Sequence, residues 1–168
     1  MKVDLAQKVE LESTPLQVGQ QAPNFVLTKM DGFVVTDVTL DEFKDKIKII
    51  SCFPSIDTGI CDLQTKTFFS KFGNDNRIYL INVSADLMFA QLRWCNANNA
   101  QNNIMLSDYK THQFAKDYGI NIKGANLVYR SLFILDQNNV IKYIQLASEV
   151  KANLDYDAVE SAVKQILG

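Results

Sequence analysis

The chain has 168 residues, 47% of them hydrophobic and 21% charged, the proportions of one globular domain able to bury a core, so residues 1–168 are read as a single domain. A formal net charge of −2, with no run of Lys and Arg to reverse it locally, argues against a surface built for phosphate backbones, and nucleic acid is not an expected partner. Three cysteines cannot all pair within one chain and are too few for a secreted disulfide scaffold; with no secretory signal pattern at the start and no apolar run long enough for a membrane span, the expected home is the cytoplasm.

In chain order, Val9 to Glu12 and Leu16 to Val18, separated by Ser13-Thr14-Pro15 and closed by Gly19, read as an N-terminal β-hairpin at the edge of the domain. In "NFVLTKMDGFVVTDV", Asp31-Gly32 lies between two β-branched or aromatic runs and predicts a second hairpin. "LDEFKDK" supplies one helical turn with Asp41 near its start. From Ile47 onward strands alternate with helices, the mark of βαβ units and a sheet covered on both faces. A strand from Ile47 to Phe53 precedes a helix from about Gly59 to Phe72, whose Thr65, Phe68, Phe69 and Phe72 share one stripe.

A strand over Arg77 to Ser84 and a helix over Asp86 to Asn98 follow, then a short strand from Asn103 to Asp108 and a short helix in "KTHQFAKDYG" closed by Gly119. "YRSLFILD" and "VIKYIQLA", joined by Gln137-Asn138-Asn139, form an antiparallel hairpin. Tyr156, Val159, Val163 and Ile166 make the apolar stripe of a last helix, with Asp157 and Glu160 at capping-box spacing. No repeat or linker interrupts the chain. The order implies an α/β protein of thioredoxin-like fold, a central mixed β-sheet flanked by helices, carrying an N-terminal β-hairpin extension.

The stretch "FPSIDTGIC" places Cys61 where a strand gives way to a helix. The bland reading of Cys61 is a small buried hydrophobe. Its neighbours argue for more. Pro54 has no N–H and cannot continue the sheet, Asp57 or Thr58 is positioned to cap the helix, and Gly59 relieves crowding, so Cys61 falls in the first turn. Backbone N–H groups there lack intrahelical partners and the helix dipole is positive, which stabilises a thiolate. Thr58, three residues earlier, brings its hydroxyl back beside the sulfur, where it can orient a substrate oxygen. Arg130, at the start of a strand, is the candidate cation from across the sheet.

Pro54, Thr58 and Cys61 match the P-x-x-x-T-x-x-C pattern of peroxiredoxins, and "FPSIDTGIC" resembles the thiol peroxidase branch, the atypical two-cysteine peroxiredoxins of bacteria. Cys95, in "LRWCNAN", occupies the place of that branch's resolving cysteine, on the helix after the next strand, and Arg130 that of the family arginine. The resemblance spans nearly the whole chain. It implies a thiol-dependent peroxidase acting on hydrogen peroxide and alkyl hydroperoxides. Cys61 would pass through a sulfenic acid, Cys95 would close an intrachain disulfide, and thioredoxin would reduce it. It also implies a homodimer packed near the active site, and the chemistry needs no cofactor. A disulfide requires Cα atoms within about 7 Å, so two helix-bound cysteines are expected to unwind locally in each turnover.

Other residues carry plainer readings. Cys52 is expected to be buried and inert, and Asp57 to be a helix cap rather than a base. His112, the one histidine, is expected at a solvated helix position. Trp94 either packs in the core or covers the neighbouring thiol, with packing preferred. Phe53, Ile56 and Ile60 permit alkyl substrates if they face outward. No C-x-x-C, H-E-x-x-H, G-x-G-x-x-G or Walker pattern is present. The rival readings are a redox sensor without turnover, a thioredoxin-like binding module with structural cysteines, and a hydrolase pairing Cys61 with His112.

Overall fold

The computed structural model describes residues 1–168. Strands β1 (Val26–Asp31) and β2 (Val34–Thr39) pair antiparallel through the turn Gly32-Phe33, where Gly32 takes φ +59°, a conformation that glycine adopts without steric cost. A 3-10 turn, Leu40–Glu42, leads into β3 (Ile47–Cys52), α1 (Gly59–Phe72), β4 (Ile78–Ser84), α2 (Met88–Ala97) and β5 (Ile104–Ser107). The chain then forms α3 (Gln113–Asp117), β6 (Ser131–Leu135), β7 (Ile141–Leu146) and α4 (Tyr156–Leu167).

The seven strands form one sheet in the order β2-β1-β5-β4-β3-β6-β7. β3, β4 and β5 run parallel, and the remaining pairs are antiparallel. This is the thioredoxin-like α/β arrangement, with β1–β2 as the hairpin extending one edge. β3 lies in the interior, and all six of its residues are buried, which accounts for its unbroken run "IKIISC". Its one charged member, Lys48, is buried too and donates Nζ to the carbonyls of Asp136 and Gln137, each at 3.3 Å. The strand's charge is thereby spent on the start of the β6–β7 turn.

Residues 9–18 do not pair with each other as the turn at Ser13-Thr14-Pro15 predicts. Leu11 bridges Ile122 instead; the Glu12 N–H donates to the Asn121 carbonyl at 3.0 Å and the Lys123 N–H to that of Glu10 at 2.9 Å. The segment finds its backbone partners a hundred residues away, a tertiary choice that local turn chemistry does not encode. The cap of α4 also differs. Asp155, not Asp157, accepts from the Ala158 N–H at 3.0 Å, because a cap must precede the first helical residue to reach the third. Glu160 pairs instead with Lys71 at 2.7 Å and Lys164 at 3.5 Å, tying α4 to α1.

Two apolar clusters fill the molecule. The larger surrounds the sheet; the smaller joins Phe53, Ile56, Cys61, Trp94, Cys95, Ala100 and Met105. Both cysteines singled out by the sequence therefore share one small core beside the first turn of α1 and under α2. No helix is long and apolar enough to cross a membrane.

Candidate active site

The site begins where β3 ends. The Phe53 N–H makes a last bond to the Val83 carbonyl at 3.2 Å, and Pro54, buried and without an N–H, turns the chain away from the sheet. The loop that follows is held from below by Asp86. Its carboxylate accepts from Ser55 Oγ at 2.7 Å, the Ile56 N–H at 2.8 Å and Ser84 Oγ at 2.6 Å. Thr58 then caps α1, its Oγ1 accepting from the Cys61 N–H at 3.3 Å while donating to the Ser55 carbonyl at 3.3 Å. The threonine hydroxyl thus secures the backbone of Cys61 rather than its sulfur. Asp57 is not the cap; it is exposed and pairs with Arg93 of α2.

Cys61 is fully buried in the first turn of α1. Arg130, immediately before β6, reaches it from across the sheet, with Nη2 3.2 Å from Sγ. The guanidinium is 2% exposed, and its other bonds go to neutral acceptors: Nη1 to Gln64 Oε1 at 2.8 Å and Nε to the Val150 carbonyl at 3.1 Å. A buried cation without a carboxylate partner is costly. Of the three hydrogen-bond partners of Arg130, the Cys61 sulfur alone is ionisable, and it sits in the first turn of α1, at the positive end of the helix dipole.

Gln64 completes the site and escapes sequence reasoning. It is fully buried, and its Nε2 donates to Ser51 Oγ at 2.7 Å and to the Cys52 carbonyl at 3.2 Å while its Oε1 holds Arg130. An amide in an amphipathic helix reads as a surface residue. The signal that identifies it is positional: Cys61, Gln64, Thr65, Phe68 and Phe72 are the buried residues of α1 and share one face.

Cys95 lies on α2, buried, with Sγ turned toward Met105 Sδ at 3.3 Å; burial pushes its thiol up to about 11. Trp94 beside it is packed in the small core, and its indole Nε1 donates to Asp62 Oδ1 at 2.7 Å. Burial pushes the Asp62 carboxyl up, yet the donors of Trp94 and Lys66 outweigh it and hold the group below its ordinary value. The thiols of Cys61 and Cys95 thus face different partners. All three cysteines are free, and Cys52 is buried in the main core, where loss of solvent drives its thiol strongly upward, the environment of an inert sulfur.

His112 is half-buried at the N-cap of α3 with φ +55°, rather than solvated on the helix, and its backbone N–H donates to the Asp108 carbonyl at 3.0 Å. The polar partner of the Cys61 sulfur is Arg130, so the Cys–His pairing lacks its first contact. Phe53 and Ile56 turn inward and are buried; of the three apolar neighbours only Ile60 is partly open to an alkyl group.

The Redoxin family profile matches residues 17–163. A thiol peroxidase of Streptococcus sanguinis is 39% identical over 166 residues, 99% of this chain and 100% of that protein. Among solved structures, a peroxiredoxin-like protein from Aquifex aeolicus superposes with a TM-score of 0.85 at 32% identity, covering 94% of this chain and 92% of that one. A thiol peroxidase from Chromobacterium violaceum gives a TM-score of 0.80 at 21% identity, over 94% and 91% of the two chains, a likeness of fold.

Proposed function

Because the chain belongs to the redoxin family and is a thiol-dependent peroxidase, we propose that Cys61 is the thiol that attacks the hydroperoxide and Cys95 the thiol that resolves the product. The observation that carries this reading is the Arg130 guanidinium, 3.2 Å from the Cys61 sulfur and without a carboxylate partner.

The thiolate of Cys61 attacks the terminal oxygen of the hydroperoxide. A sulfur–oxygen bond forms, the O–O bond breaks, and the departing oxygen takes a proton to leave as water or an alcohol. Arg130 stabilises charge shifting from sulfur to the oxygens, and the first-turn N–H groups of α1 assist. Gln64 keeps the guanidinium aimed, Thr58 fixes the helix start, and Pro54 shapes the loop above it. Cys95 sulfur then attacks the sulfenic sulfur of Cys61, releasing water and closing an intrachain disulfide. A thioredoxin-type dithiol restores both thiols by exchange.

Hydrogen peroxide and small alkyl hydroperoxides are the assigned substrates, with Ile60 the partly exposed apolar residue beside Cys61. We assign thioredoxin as the reductant and the cytoplasm as the compartment, where Cys52, Cys61 and Cys95 are kept reduced. A second copy of the chain is the assigned partner. Leu63 on α1, Leu87 just before α2 and Phe89 on α2 are exposed apolar side chains that support this assignment.

The test is steady-state peroxide consumption coupled to thioredoxin, thioredoxin reductase and NADPH. Turnover abolished by Cys61→Ser, crippled by Cys95→Ser and retained by Cys52→Ser supports the assignment. Full turnover in Cys61→Ser refutes it.

A further inference from the structure

Asp62 follows Cys61, and Trp94 precedes Cys95. The two flanking residues are bonded to each other, Trp94 Nε1 to Asp62 Oδ1 at 2.7 Å, and the neighbouring pair Asp57 and Arg93 joins the same two segments. Consecutive helical residues are turned by about 100° about the axis. While Asp62 and Trp94 face each other, the cysteines beside them are therefore turned off the line of contact, Cys61 toward Arg130 and Cys95 toward Met105.

Gln91, whose Nε2 donates to Ser84 Oγ at 3.1 Å and to the Leu106 carbonyl at 2.9 Å, is another polar support of α2. The helix's N-cap, Leu87, offers no side-chain acceptor to the first-turn N–H groups. Beneath it lies a cavity of about 260 Å³ lined by Met30, Met88, Gln91, Cys95 and Met105 among others. Gln91 Oε1, together with Asn82 Oδ1 and Asn103 Nδ2 nearby, has no hydrogen-bond partner. The uncapped first turn and the cavity lower the cost of moving the helix.

Resting on the assignment of Cys61 and Cys95 above, we propose that the Asp62–Trp94 hydrogen bond, backed by Asp57–Arg93, is a latch that holds the two thiols apart, making Asp62 and Trp94 positioning residues that set the rate of disulfide formation. When the latch opens, Cys95 sulfur reaches Cys61. The S–S bond forms, the S–O bond of the sulfenic acid breaks, and the hydroxyl leaves as water with the Cys95 proton. The oxidant is the hydroperoxide of the preceding step. A tight latch prolongs the sulfenic acid and exposes it to a second peroxide, which yields sulfinic acid.

The test treats the reduced full-length protein with one equivalent of hydrogen peroxide, quenches it at successive times, and follows sulfenic acid and disulfide by mass spectrometry. Trp94→Phe keeps a buried ring but loses the donor, and Asp62→Leu removes the acceptor from the other side, so either folded variant decides the matter. Both are expected to speed disulfide formation about tenfold, the weight of a hydrogen bond to a charged group, with a larger change in this step than in peroxide attack. Less sulfinic acid should accumulate in excess peroxide. Asp62→Asn, which keeps an acceptor for the indole, should stay within about threefold of wild type, and Lys66→Met, which loses only the 2.9 Å ion pair to Asp62, should match it. Unchanged or slower disulfide formation in Trp94→Phe and Asp62→Leu overturns the latch. Absence of a Cys61–Cys95 disulfide in the wild type overturns the cysteine assignment itself, and the latch with it.

Discussion

The Arg130 guanidinium lies 3.2 Å from the Cys61 sulfur, and every other hydrogen bond it makes ends on a neutral oxygen. Buried arginines ordinarily meet a carboxylate. Here a cysteine side chain fills that place, which connects the burial of the residue directly to its chemistry.

Arg130→Met should therefore separate activity from stability. Loss of a donor aimed at developing charge reduces peroxide attack by about 100- to 1,000-fold. The stability of the reduced protein should change by less than about 2 kcal/mol, because removing the desolvation cost of a buried cation offsets the bonds lost to Gln64, Val150 and Cys61. Stopped-flow oxidation rates alongside urea unfolding measure both. A variant that unfolds but retains its attack rate when folded contradicts this role.

Gln64→Leu should show the opposite balance. It strands Ser51 Oγ, the Cys52 carbonyl and one arm of Arg130 in the core, at a cost of about 2–4 kcal/mol in stability. Peroxide attack should fall by only about tenfold, since Arg130 keeps its bond to Val150. The same two measurements apply, and loss of activity as deep as that of Arg130→Met would make Gln64 more than a brace.

Stability should fall in mild alkali. Burial raises Cys95 from an ordinary 9.0 to about 11, so the folded protein keeps a proton that the unfolded chain releases. The sign follows: this stabilisation is fully present below pH 9 and is lost as pH rises toward 11. Buried Cys52, shifted in the same direction, steepens the loss. Melting temperature should drop between pH 8.5 and 10.5, and Cys52→Ala together with Cys95→Ala should flatten the slope. An equally steep profile in the double variant would assign the loss to other groups.

Much of the site was legible because its cues are local. Pro54, the cap at Thr58 and the apolar stripe through Phe72 mark the start and length of α1, and the apolar run "IKIISC" marks the central β3. What was missed depends on distant partners. Residues 9–18 bond to 118–123 across the domain. Gln64 carries a polar label, but its partners Ser51 and Arg130 lie on other elements. Asp57 sat at cap spacing, yet Thr58 took the cap and Arg93 took Asp57. Asp86 looked like an ordinary helix-start acid until its three donors in the loop and in β4 were placed around it.

The pairing of Cys61 with Cys95 is tested most directly by adding one equivalent of hydrogen peroxide to the reduced protein, blocking free thiols and mapping the peptides by mass spectrometry. The expected product is a monomeric chain lighter by two hydrogens, with one disulfide joining the Cys61 and Cys95 peptides and Cys52 recovered as the blocked thiol. A disulfide to Cys52, a covalent dimer, or an unoxidised Cys61 would contradict the account.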